Sequence, residues 1–139
     1  MQYKRKMGLD YGDRRIGIAF SDLLGLIASA YEVYKNTDQD TTIKYLTNLA
    51  KQQDVDEIVL GLPLNMQGEE NERTQVTREF GAKLQNYSGI SVVYEDERLT
   101  SVEADELLKE RRLSWEKRKE LLDKVSAQLI LQSYLDNKK

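Results

Sequence analysis

Three acids spread along the chain, Asp10, Glu97 and Asp123, are the residues through which this sequence could do chemistry. Asp10 follows the apolar pair Met7 and Leu9 and stands just before Tyr11-Gly12-Asp13, a turn signal. An acid beside a glycine turn can offer its oxygens to a cation while the glycine lets a substrate approach the backbone. Glu97 follows the apolar run Ile90–Tyr94, with Asp96 before it and Arg98 after it. Asp123 shares a helical stripe with Ala127, Ile130 and Tyr134, which places a carboxylate at the edge of a core. Read singly, each has a structural alternative: a turn aspartate, a surface ion pair, and a helix acid paired with Lys119 one turn back. Read together, three converging carboxylates would repel one another and hold their protons unless a divalent ion neutralised them. Mg²⁺ suits such a set, because it binds through a few carboxylates, waters and substrate phosphates. Two ions about 4 Å apart could activate water and stabilise the leaving oxygen of a phosphodiester.

Composition narrows the chemistry to that kind. The 139 residues include no cysteine and no histidine. Disulfides, thiolate zinc sites and cysteine nucleophiles are excluded, and so are imidazole bases and metal sites that need a nitrogen ligand. Carboxylates, hydroxyls, Lys, Arg and Tyr remain. The formal charge of −3 argues against generic nucleic-acid binding but permits a local basic face. No stretch approaches the roughly 20 apolar residues of a membrane span. The basic N-terminus lacks the apolar run of a signal peptide, so the expectation is a soluble, cytoplasmic protein with no membrane partner.

The elements that must position the acids can be read from periodicity. Arg5–Asp10, the alternating stretch around Ile16, Ile18 and Phe20, and Ala28–Tyr34 read as three strands of an antiparallel meander. Asp38–Gln53 carries Ile43, Leu46, Leu49 and Ala50 at helical spacing. Glu57–Leu60 reads as a central strand covered on both faces. Thr74–Tyr87 is a second helix, Ile90–Tyr94 a fifth strand and Thr100–Arg111 a third helix, with Thr100-Ser101-Val102-Glu103 fitting a capping box. Ser114 is the expected cap of a last helix bearing Leu121, Leu122, Val125, Leu129 and Ile130. The expectation is one α/β domain, residues 1–139, with a five-stranded mixed sheet, three strands antiparallel and then two parallel, flanked by helices. Asp10, the Gly61–Gly68 loop and Asp96-Glu97 fall at strand ends, where such sheets bind ligands.

Other residues could meet a substrate. Arg14 and Arg15 lie beside the first turn, placed for a phosphate. Tyr11 could stack on a base or close the core edge. Asn65 and Gly68 turn their loop, with contact to a substrate groove as the alternative. Lys109, Arg111, Arg112, Lys117, Arg118, Lys119 and Lys124 crowd the C-terminal helices but are interrupted by acids, so they read equally as a solvated face. Trp115 reads as a packing anchor of the junction.

Four segments together resemble the YqgF/RuvX family of Holliday junction resolvase-like proteins, also described as pre-16S rRNA nucleases. They are Leu9-Asp10-Tyr11-Gly12 with Arg15-Ile16-Gly17-Ile18-Ala19, Gly61-Leu62-Pro63-Leu64-Asn65-Met66 with Gly68, Asp96-Glu97-Arg98-Leu99-Thr100-Ser101 with Glu103-Ala104, and Lys124-Val125-Ser126-Ala127 leading to Ile130-Leu131-Gln132-Ser133-Tyr134. The resemblance implies a ribonuclease H-like fold and a Mg²⁺- or Mn²⁺-dependent nuclease whose catalytic and metal-binding acids are Asp10, Glu97 and Asp123, with Asp96 an alternative to Glu97. Arg15, Arg98 and Asn65 are then the candidates for holding substrate. The implied task is 5′-end maturation of 16S ribosomal RNA in ribosome biogenesis, with Holliday junction resolution in recombination as the other reading. Gln67 stands where relatives often carry an acid, with no metal ligand removed. Junction resolution needs paired sites and so a dimer, whereas trimming a precursor can be done by a monomer; monomer and weak homodimer both stay open. A reading from another class is a non-catalytic nucleotide- or RNA-binding module, since Asp10-x-Gly12 with Gly17 resembles the phosphate loop of the actin and sugar-kinase fold.

Overall fold

The computed structural model describes residues 3–97 and 114–138, together with Glu106 and Lys109. Among the described residues five strands and three long helices follow one another in the order β1 (Arg5–Tyr11), β2 (Arg15–Ser21), β3 (Ala28–Lys35), α1 (Gln39–Gln52), β4 (Val55–Leu62), α2 (Glu72–Ser88), β5 (Ser91–Asp96) and α3 (Trp115–Asn137). The helix expected over Thr100–Arg111 and the side chain of Trp115 lie outside the described residues, apart from Glu106 and Lys109, which are helical. No helix among the described residues is long and apolar enough to cross a membrane.

The sheet order is β3-β2-β1-β4-β5. β1, β2 and β3 pair antiparallel, and β4 pairs parallel to both β1 and β5. The short connections of the meander and the helical crossovers to β4 and β5 dictate this mixture. β1, β4 and β5 therefore end on the same side, where Asp10, the loop after Leu62 and Glu97 gather.

Strand alternation divides the interior into two layers. One face carries Met7, Leu9, Ile16, Ile18, Ile58, Leu60 and Val92, covered by Ile43, Leu46 and Leu49 of α1 and Phe80 and Leu84 of α2. The other carries Ala19, Ala28, Val59 and Val93, covered by Ala127, Ile130, Leu131 and Leu135 of α3. Helix ends are set locally. Asp38 caps α1 by accepting from the Thr41 N–H at 3.0 Å. Asn71 and Thr74 form a reciprocal capping box on α2, so that helix starts at Glu72, two residues before the start suggested by its apolar pattern. Ser114 caps α3 as the sequence indicates.

The face under α3 is lined with small residues, and this sets how close the helix comes. Gly17 is the cross-strand partner of Asp10. A Cβ at Gly17 would run into the backbone carbonyl of Asp123 and stand 3.3 Å from the Ala127 Cβ. The helix backbone rests on the bare glycine, and Asp123 is brought down beside the end of β1.

Gly17→Ala should therefore destabilise the protein by about 1–3 kcal/mol, because the intruding methyl meets backbone and not a movable side chain. Urea unfolding checks this. An unchanged midpoint would show that α3 can lift without cost.

Candidate active site

Asp10 lies near the end of β1, and its side chain points to the α3 face, as its neighbours Leu9 and Tyr11 point to the other. Glu97 lies just past β5, where its N–H donates to the Leu62 carbonyl at 3.2 Å. In β5, Val93 packs under α3 and Glu95 accepts from the Ser133 hydroxyl of α3 at 3.2 Å, whereas Tyr94 packs against the α1–α2 layer. Continuing that alternation puts Glu97 on the side of Asp10. It puts the exposed Asp96, whose cross-strand partner is Leu62, on the other.

β4 lies between β1 and β5, so an acid from one must cross it to reach the other. Gly61 leaves the crossing open: a Cβ there would stand 2.9 Å from Oε2 of Glu97 and 2.6 Å from Cδ1 of Ile130. Across this gap the Asp10 and Glu97 carboxyls share a hydrogen bond. Two carboxyls can do so only if one of them holds a proton. Burial is the largest cause holding both above the ordinary range. For Asp10 the hydrogen bond from Glu97 and the charge of Arg73 oppose the rise, while the charge of Asp123 adds to it. For Glu97 the nearby Asp10 adds to the rise and Arg73 opposes it.

The charge of Asp123 acts on Asp10. Arg15 Nε lies 2.8 Å from Oδ2 of Asp123, yet the N–H is not aimed at that oxygen, which accepts no hydrogen bond. Burial raises the Asp123 carboxyl; Arg15 first, then Lys119, draws it down. The close ion pair is thus with Arg15 on the sheet, and Lys119 acts only at longer range. Among the described residues no three acids close into a finished metal cage. The donors are nevertheless all oxygen: two of the carboxyls are crowded and buried together, and the third, Asp123, is held beside them by its ion pair with Arg15. That is a set suited to a hard divalent cation, which would displace the proton.

The other candidates separate. Arg15 is at the site. Arg98 lies outside the described residues. The Asn65 side chain is committed to its own loop: its carbonyl accepts from the N–H groups of Gln67 and Glu69, and its amide donates to Glu69. Tyr11 stacks on Phe80 at 4.0 Å between ring centroids, which makes it a core-edge residue.

Arg73 is the residue that sequence reading passes over. It donates to the Tyr11 carbonyl at 3.2 Å and to the Asp13 carboxylate at 2.8 Å, clamping the turn after Asp10 to α2. Its charge also acts on both Asp10 and Glu97. The signal for it is the Asn71-x-x-Thr74 capping box, which places Arg73 in the first turn of α2. A cation there opposes the helix dipole and so points to a partner elsewhere.

Comparisons with known proteins agree with this architecture. The family model described as "RuvX: Holliday junction resolvase" matches residues 4–137. A protein of Endomicrobium trichonymphae named "Putative pre-16S rRNA nuclease" is 47% identical over 133 residues, 95% of each chain. One of the same name from Syntrophomonas wolfei is 46% identical over 132 residues, covering 95% of this chain and 94% of its own. Among solved structures, Thermus thermophilus RuvC in complex with a Holliday junction substrate superposes with a TM-score of 0.58 at 12% identity, over 98% of this chain and 96% of that one. The fowlpox virus Holliday junction resolvase gives 0.61 at 11% identity, over 97% and 99%. At such identities the likeness is one of fold, and with the sheet order it shows the ribonuclease H-like plan expected from sequence.

The proton held by the acid pair has a measurable consequence. Glu97 binds its proton more tightly in the folded protein than in the unfolded chain, where it titrates near 4.5. Stability falls as pH rises through that value and continues to fall toward the folded value of about 9. Glu97→Gln removes the penalty and leaves an amide that can donate to Asp10. Without divalent ions the variant should be more stable than the parent by on the order of 1–3 kcal/mol near neutral pH, with the gain closing in acid as both states become protonated. Melting curves across pH test this, and a variant less stable at neutral pH would contradict it.

Proposed function

The chain belongs to the RuvX family, and on that premise we propose that it is a divalent-cation-dependent endonuclease that hydrolyses phosphodiester bonds, acting in the cytoplasm on the precursor of 16S ribosomal RNA. The observation that carries this reading is the Asp10–Glu97 carboxyl pair joined across Gly61 and faced by Asp123. Asp10, Glu97 and Asp123 would hold Mg²⁺ or Mn²⁺. When bound, such an ion supplies Lewis acidity to water and to the leaving oxygen of a phosphodiester.

The chain's own residues do the rest. Asp10 and Glu97 give up their shared proton and present two carboxylates held by β1 and by the Glu97–Leu62 backbone bond. Arg15, only partly engaged with Asp123, is free to turn its guanidinium to a phosphate oxygen. Arg98, next to Glu97 in sequence, serves as a second phosphate-binding cation. Arg73 fixes the turn after Asp10 and limits the negative potential at the acids. Asn65 contributes by fixing the loop beside the site.

RNA is preferred over junction DNA because relatives at 42–47% identity carry the ribosomal RNA name, whereas the resolvase structures share only the fold. The family's description supports junction resolution as the second reading. It would require two copies to present paired sites, while a single RNA strand can be cut by a monomer.

A labelled 16S precursor and a four-way DNA junction, each incubated with Mg²⁺ and with Mn²⁺, separate the readings. Precursor cleavage that stops when the ions are chelated is expected. Asp10→Asn should lower it by more than about 100-fold, since even outer groups of metal sites cost 10–100-fold. Full activity in that variant, or no cleavage of either substrate, refutes the proposal. Mg²⁺ should also raise the melting temperature of the parent but not of Asp10→Asn, because an ion that binds only the folded state stabilises it by mass action.

A further inference from the structure

Three carboxylates repel a polyanion, so a site that must receive one needs cations on its approach. Among the described residues, several exposed cations gather on the α3 side of the sheet. A groove of about 570 Å³ is lined by Arg14, Arg15, Val33, Lys35, Glu116 and Lys119. Arg15 and Lys35 are cross-strand partners at the ends of β2 and β3, and the Arg14 carbonyl accepts from the Asn36 N–H at 2.8 Å, holding those ends together. Lys119 stands on α3 one turn before Asp123, forming the opposite wall. Arg15 reaches from the groove to Asp123, so the groove leads to that carboxylate. Among the described residues it holds four cations against the carboxylate of Glu116, in a chain whose formal charge is −3. The groove between α1 and α2 differs: Asp40 stands there with Lys44 and Lys83, on the opposite face of the sheet. Beside the β2–β3 hairpin, Arg5 is matched by Asp22.

We propose that the Arg14–Lys35–Lys119 groove is the track along which one strand of the polynucleotide reaches the acids. The inference rests on the nuclease reading and adds to it the direction of approach and three further phosphate-binding cations. These cations meet backbone phosphates, which position a strand without reading its sequence.

Fluorescence anisotropy with a short labelled single-stranded RNA, in chelator so that nothing is cut, tests the track. Binding should weaken with salt, and Lys35→Ala/Lys119→Ala should reduce the slope of log affinity against log salt by about 1.4, at roughly 0.7 for each single-strand phosphate that the protein no longer neutralises. Lys44→Ala/Lys83→Ala removes the same charge from the α1–α2 groove and should leave the slope unchanged. Melting curves confirm that both doubles are folded. If the groove double is not, Lys35→Ala alone should show about half the effect. An unchanged slope in the groove variant, an equal reduction in the control, or no RNA binding by the parent overturns the proposal. The nuclease reading is judged separately, by metal-dependent cleavage with the parent protein.

Discussion

The meeting of the Asp10 and Glu97 carboxyls across a strand that belongs to neither is the constraint on which the site depends. β4 stands between β1 and β5, and a side chain at position 61 would fill the space that the Glu97 carboxyl occupies. With glycine there, two acids separated by most of the chain share a hydrogen bond in a largely buried setting. Such a pair is unfavourable as an end in itself, because burial and mutual repulsion both disfavour its charge. Under the proposed function it is a place held for a cation. A local conflict with the rest of the fold is what functional sites commonly show.

The two apolar layers make that arrangement tolerable. The layer under α1 and α2 is built from large side chains, with Met7, Leu9, Ile18, Ile58, Leu60 and Phe80 all fully buried. The layer under α3 is thinner and uses small residues, Gly17, Ala19 and Ala127, so the helix backbone comes close to the sheet. The asymmetry has a physical logic. Thick packing anchors the sheet, and thin packing lets a helix deliver Asp123 to strands it crosses.

Cations then divide the surroundings by role. Arg73 is fixed by two hydrogen bonds and lies over the Tyr11 ring at 5.7 Å, so it acts as a clamp. Arg15 is paired by charge with Asp123, without a directed hydrogen bond to its Oδ2. Resolvase structures at 11–12% identity share this plan.

The described elements were legible in the chain, because strand alternation, helical spacing and a cap such as Ser114 are local properties of a few neighbouring residues. Composition also narrows the candidates, since without histidine or cysteine the acids are the donors left for a hard cation. The family motifs pointed to Asp10, Glu97 and Asp123 and left Asp96 and Glu97 as rivals. Folding sets Glu97, and not Asp96, on the Asp10 side, which depends on the register of β5 against β4. The same holds for Arg73 at the Tyr11 carbonyl, for Arg15 and not Lys119 as the close partner of Asp123, and for the basic groove. Each of these joins residues from strands and helices distant in the chain. Their adjacency follows from the sheet order β3-β2-β1-β4-β5, which long-range packing selects and no local pattern records.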